Sequence, residues 1–345
     1  MIENLLHPTL LARVLSGLAA LGATVVATAV GVQVLRARGQ AARGSEEGIA
    51  LERRSELAAM LVQAAMVFQL VNAVLSVVTA DRLSPSVQGA MCAYGVLDLG
   101  ASGFVMLGVT LASALACALW LALHRYDLRL PTATLSPVAW RALLGVAPLM
   151  ALDFALTLRF ALSLDLSVVA SCCASQLDPE VAATMGAQVG LPRIAFGVAL
   201  AVCAACVAVA VAIQRRDHGA LVGTLGVLST LACCASVPSI MGFVAPHAYG
   251  SPVHTCPFCL LHADVWGIGW PLFSALFAGL TLGLTPSLVR GLSRVAGERE
   301  QARALERDAA RFAGYAFAVL LVFQLVPVVR YLAASGGASV FGGAL

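Results

Sequence analysis

Lysine is absent from the chain, and all 21 basic residues are arginine. Charge of either sign is scarce: 11% of residues are charged, 60% are hydrophobic, and the mean hydropathy is +0.91. A soluble domain of this length cannot bury so much apolar surface, which leaves an all-α, polytopic integral membrane protein. The missing lysine goes with heavy alanine use and reads as a G+C-rich coding sequence. The net charge of +3 does not point to nucleic acid, because membrane topology accounts for where the arginines lie. A Walker A loop, a dinucleotide-binding glycine fingerprint and a serine-nucleophile signature are also lacking. The expected spans contain no histidine, which argues against haem b held by two imidazoles. No histidine directly follows a C-x-x-C, which excludes c-type haem attachment. The first apolar stretch is too long, and too poor in preceding basic residues, to read as a cleavable signal peptide.

Eight segments reach spanning length: Leu10–Leu35, Leu57–Thr79, Phe104–Leu123, Trp140–Leu162, Ile194–Ile213, Ala220–Val244, Trp266–Val289 and Phe312–Ala334. The linkers after segments 1, 3, 5 and 7 carry most of the arginines, among them Arg53, Arg54, Arg125, Arg129, Arg215, Arg216, Arg290 and Arg303. The positive-inside rule places those linkers in the cytoplasm and both termini outside, in a bacterial inner membrane with the other linkers facing the periplasm. On that topology Cys92, Cys172, Cys173, Cys256 and Cys259 all lie in outer linkers, where disulfides form and persist. The mixed-charge run 290–311 is expected to extend segment 8 as a cytoplasmic helix, its arginines within reach of anionic headgroups. The glycine-rich tail, 336–345, is expected to be flexible. The whole chain reads as a single membrane domain.

Val67-Phe-Gln-Leu-Val71 recurs as Val322-Phe-Gln-Leu-Val326, and Cys92-Ala-Tyr-Gly-Val-Leu-Asp resembles Cys256-Pro-Phe-Cys-Leu-Leu-His. These matches suggest a repeat of about 84 residues, a helical hairpin with an outer linker. Segments 2–3, 4–5 and 6–7 are then complete copies, with 8 and 1 as a split fourth. Within the spans the matched Gln69 and Gln324, together with Asp153, are the polar residues singled out. An intramembrane carboxylate is costly and normally faces a cavity or a partner, so Asp153 serves either a proton or ligand role or a structural hydrogen bond. Arg159, six residues on, lies too far round the same helix to pair with it. Trp266 and Trp270 suit the membrane interface as aromatic anchors, or the wall of a quinone or metal pocket.

The chemistry concentrates in His254-Thr-Cys-Pro-Phe-Cys-Leu-Leu-His262. If C-P-F-C opens the helix of segment 7, Cys256 meets the free amides of the helix end, Pro257 fits the first turn, and Cys259 lies on the same face to close a disulfide. Cys172 and Cys173, on the neighbouring outer linker, form the exchanging element. A C-x-x-C at the mouth of a membrane helix, with a second cysteine element in another external loop, resembles the DsbB and VKOR type of membrane thiol oxidoreductase. The likeness covers about ten residues, and those families have a four- or five-helix core. It implies electron transfer between a periplasmic thioredoxin-like partner and a membrane quinone, with Cys256 attacking and Cys259 resolving.

Two other readings stand beside it. His254, Cys256, Cys259 and His262 spell H-x-C-x-x-C-x-x-H, a donor set for zinc or copper, with Cys92, Cys172 and Cys173 able to extend a cluster. Cys117, Cys203, Cys206, Cys233 and Cys234 lie deeper and either continue a thiol ladder or fill small apolar space. The last reading is a non-catalytic subunit of a larger membrane assembly whose outer loops are stapled by disulfides.

Overall fold

The computed structural model describes residues 7–37, 46–99, 102–131, 134–165, 190–216, 219–297 and 299–342. It is 87% helical, with no strand among the described residues, and eight helices are long and apolar enough to cross a membrane. They are α1 (Pro8–Ala37), α2 (Glu46–Leu83), α4 (Gly103–Asp127), α5 (Ser136–Ser163), α6 (Gly190–Arg215), α7 (Gly219–Ser239), α9 (Gly269–Ala296) and α10 (Arg299–Ala334). A short α3 (Ala93–Asp98) lies between α2 and α4. The helix of α7 runs on through a π-helical stretch at Ile240–Val244 into α8 (Ala245–Tyr249).

The chain divides into two compact units, Met1–Ala170 and Ser171–Leu345. Each holds four spanning helices, and in each the order of packing is a ring. In the first unit α1 packs on α2, α2 on α4, α4 on α5, and α5 back on α1. In the second, α6 packs on α7, α7 on α9, α9 on α10, and α10 back on α6. The expected hairpin repeat finds no support in this division, because the boundary falls between segments 4 and 5, inside one of its copies.

Small residues make the close packing possible. The buried face of α1 is Leu10, Arg13, Gly17, Ala20, Thr24, Ala27 and Gly31, one residue every three or four positions. In lipid, where apolar burial drives little association, such a stripe lets neighbouring helices approach closely. Gly17 is the clearest case: a Cβ there would come within 2.8 Å of Arg13 Nη1 and 3.2 Å of the Phe154 ring. The core of the second unit includes Phe196, Phe243, Leu272, Phe317 and Leu320.

Three helix boundaries differ from those read in the sequence. α2 starts at Glu46, eleven residues before segment 2, since charged residues lower hydropathy without breaking a helix. The run 290–311 is split: α9 continues to Ala296, Gly297 caps it with φ 76°, and α10 begins at Arg299. The helix carrying segment 6 continues to Tyr249, which puts His247 inside a span and buries it to 2% exposure. The tail is also seated rather than loose as far as residue 342. Ser339 hydrogen-bonds His247 Nε2 at 3.2 Å, and the Phe341 ring centroid lies 5.8 Å from that of Phe243.

Candidate functional site

Two places gather chemistry-bearing residues, one in each unit. In the first unit all four spanning helices send polar side chains into the core. Arg13 on α1 and Asp153 on α5 form an ion pair at 2.9 Å, both 1% exposed. Asp153 also accepts hydrogen bonds from Gln69 Nε2 on α2, at 2.8 Å, and from Thr110 Oγ1 on α4. Arg13 Nε donates to Ser76 Oγ at 2.8 Å, Asn72 Nδ2 donates to Gln69 Oε1 at 3.4 Å, and Ser16 Oγ donates to Asn72 Oδ1. Gln69, Asn72 and Ser76 fall on one face of α2 because they are three and four residues apart.

This network shows what Asp153 touches. Its carboxylate already accepts from Arg13 Nη2 with both oxygens, from Gln69 and from Thr110. A carboxylate so engaged has both oxygens occupied as acceptors and ties the four helices together. The sequence reading missed Arg13 entirely; its partner lies 140 residues away, on another helix. The one available signal was that Arg13 stands on the small-residue face of α1. Gln69, singled out in the sequence for its match with Gln324, is buried in this core.

The second unit has a softer core. Gln324 on α10 accepts a hydrogen bond from Ser239 Oγ at 3.0 Å, and Cys203 Sγ lies 3.9 Å from Ser236 Oγ. Cys203 and Cys206 are fully buried among the α6, α7 and α10 side chains, as small core fillers would be.

The C-P-F-C motif sits above this core, between α8 and α9. It does not open a long helix, as the sequence suggested. Cys256 precedes a 3-10 turn, Phe258–Leu261, a second follows at Ala263–Val265, and α9 starts only at Gly269. The backbone breaks twice in between: His262 is extended, and Trp266 (φ 60°) and Gly267 (φ 60°) are left-handed. Proline at 257 suits the start of either kind of helix, so the motif alone could not decide. The stabilising dipole of a long helix is therefore not available to Cys256.

The 3-10 turn nevertheless folds the two thiols together: the sulfurs of Cys256 and Cys259 lie within 4.8 Å of each other, and both residues are buried. His254 and His262 do not join the pair within that distance. The His254 ring instead stacks on Tyr249 with centroids 4.0 Å apart, and the His262 N–H closes the turn onto Cys259 O at 3.0 Å. The loop is held from both sides, by Tyr249 Oη donating to Cys259 O at 2.7 Å and by Trp270 Nε1 donating to Leu261 O at 3.2 Å. Cys172 and Cys173, the expected exchanging element, lie outside the described residues.

Beside the loop is a cavity of about 260 Å³ lined by His247, Tyr249, Asp264, Trp266, Arg330 and Tyr331, among others. The Arg330 guanidinium lies 3.9 Å over the Trp266 ring, and Tyr331 meets His247 edge-on at 5.5 Å. Trp266 and Trp270 are both exposed, as interfacial anchors would be. Tyr249 connects the two features, lining the cavity with its side chain and fixing the carbonyl of Cys259.

Compared with known proteins, the chain matches no protein-family model, no curated protein and no solved structure.

Proposed function

We propose that the protein is a membrane thiol-disulfide oxidoreductase of the bacterial inner membrane, with Cys256 and Cys259 as its working pair on the periplasmic side. The observation that carries this reading is the approach of the two sulfurs within 4.8 Å on a turn closed by Pro257. A C-x-x-C whose thiols are already neighbours needs little rearrangement to form its disulfide. Each four-helix unit is also the size of the core in the families the motif resembles.

The chemistry is exchange. The Cys256 thiolate attacks one sulfur of a partner disulfide, and the partner's other sulfur leaves as a thiolate and takes up a proton. The Cys259 thiolate then attacks the Cys256 sulfur and displaces the partner's second thiolate, which is protonated in turn. The partner gains two electrons and two protons, and Cys256 and Cys259 become a disulfide. The same steps run in reverse with a reduced, thioredoxin-like partner. Burial of both sulfurs shields them from adventitious oxidants, so a partner must displace the loop to reach them.

The cavity beside the loop fits a quinone ring. Its aromatic lining and its volume, near the lower end for ligand pockets at about 300 Å³, suit a flat apolar headgroup. Trp266, Tyr331 and Tyr249 would hold the ring, with Arg330 and His247 at its edge. A quinone bound there would supply a two-electron acceptor for the dithiol.

The thiols gather without either flanking imidazole, which favours exchange over a four-ligand copper or zinc site. Differential alkylation on native membranes tests the reading. Cys256 and Cys259 should change from labelled to protected when the reductant is removed, and Cys259→Ala should trap a mixed disulfide through Cys256. Labelling that ignores reductant, or one copper or zinc ion per chain after anaerobic purification, would overturn it.

A further inference from the structure

One side chain touches both the thiol loop and the cavity beside it. Tyr249, the last residue of α8, reaches the loop at two points. Its hydroxyl donates to Cys259 O at 2.7 Å, and its ring lies on that of His254, with centroids 4.0 Å apart and planes 23° apart. The two contacts fall on either side of Cys256, so one tyrosine brackets the turn that brings the sulfurs together. Tyr249 also lines the cavity of about 260 Å³.

The helix that carries Tyr249 is pinned. A carbonyl only accepts, so His247 Nδ1 donates to Phe243 O at 2.8 Å, and Nε2 is left to accept from Ser339 Oγ at 3.2 Å. The His247 ring also lies against that of Phe243, with centroids 4.3 Å apart. Just past Tyr249 the chain turns at Gly250, φ 64°, where a Cβ would come within 3.3 Å of the Tyr331 ring. With α8 fixed, any movement between cavity and loop falls to the tyrosine side chain.

We infer that Tyr249 is a positioning residue that makes access to Cys256 and Cys259 depend on what fills the cavity. This rests on the thiol-exchange reading and on the cavity as the seat of its quinone. A filled cavity backs the phenol ring, keeps its hydroxyl on Cys259 O and holds the turn shut over the buried thiols. An empty one gives the ring room to withdraw, which frees the carbonyl and lets the turn open towards a protein partner. A ligand shifts such an equilibrium only by what it gains in one state over the other, and here the gain is contact with Tyr249 held in place. By linkage, an open loop weakens binding in the cavity by the same factor. The two substrates therefore alternate: the partner reaches the dithiol while the seat is empty, and the quinone meets it while the loop is closed.

The test requires neither a quinone nor exchange. Reduced full-length protein in nanodiscs is alkylated with N-ethylmaleimide, and the rate is read by mass spectrometry on the peptide holding Cys256 and Cys259. For buried thiols that rate follows the opening equilibrium. Tyr249→Phe keeps the ring and removes the hydroxyl, and should raise the rate about fivefold, the worth of one neutral hydrogen bond. Ala334→Trp, which fills the cavity from α10, should lower it by a similar factor of about five. Adding Ala334→Trp to Tyr249→Phe should leave the rate within about twofold of Tyr249→Phe alone. A filler that slows alkylation equally with and without the hydroxyl makes Tyr249 structural only and overturns the inference, as does a filler without effect. Val326→Trp, from the same cavity wall, gives the same cycle if Ala334→Trp does not fold. Cycling of the thiols with reductant does not enter these rates, so loss of the exchange reading and loss of this coupling are seen separately.

Discussion

The two four-helix units share one packing order and fill their centres with opposite chemistry. The first holds a fully buried ion pair tied to all four helices through Gln69, Asn72, Ser76 and Thr110. The second has no ion pair among its described core residues and uses Gln324, Ser236, Ser239 and Cys203. A charge network of this kind is intolerant, since removing either Arg13 or Asp153 strands a charge in a low-dielectric interior. A core whose polar members are hydroxyls, a thiol and an amide strands no charge when one of them is removed. The unit that carries the C-P-F-C loop is thus the one whose interior tolerates adjustment, and the unit without it is pinned.

The contrast can be broken most sharply at Asp153. Asp153→Ala leaves Arg13 buried and unneutralised and should cost about 3–5 kcal/mol in reversible denaturation. Replacing both partners, Arg13→Leu with Asp153→Leu, should recover most of that loss. If single and double variants are equally unstable, the pair acts through shape and not through charge.

The matched glutamines give the next test. Gln69→Ala removes a hydrogen bond to a charged acceptor and should cost about 1.5–3 kcal/mol, against about 0.6 kcal/mol for Gln324→Ala. Equal losses, measured by thermal unfolding in one detergent, would erase the distinction between the units.

Smaller still is the effect expected at the deep thiols. Cys203→Ala and Cys206→Ala should leave thiol exchange with a disulfide partner unchanged and shift stability by about 1 kcal/mol or less, while Cys256→Ser abolishes exchange. A loss of exchange in either deep variant would extend the redox site into the bundle.

The spans could be read directly because twenty apolar residues in a row have few other uses. Their ends could not, since the charged starts of α2 and α10 are helical for reasons hydropathy does not register. The division into two units was hidden for a related reason: it rests on contacts between residues far apart in the chain, which hydropathy does not register. The V-F-Q-L-V match did carry information, as both glutamines face a core, but one lies on the second spanning helix of its unit and the other on the last. The loop was legible in composition and not in conformation. Trp266 is the only described residue other than glycine with a left-handed backbone, and no local rule puts a tryptophan there.

The clasp between Arg13 and Asp153 also bears on the order in which the chain is made. Asp153 emerges 140 residues after Arg13, roughly 7–28 s later at a synthesis rate of about 5–20 residues per second. During that interval the first helix must shelter a guanidinium without its counterion. Arg13 lies only five residues past Pro8, the start of α1, near enough to the helix end for its long side chain to reach the headgroup layer. Arrival of the fourth helix then draws it inward, so that closure of the ring is timed by the ribosome.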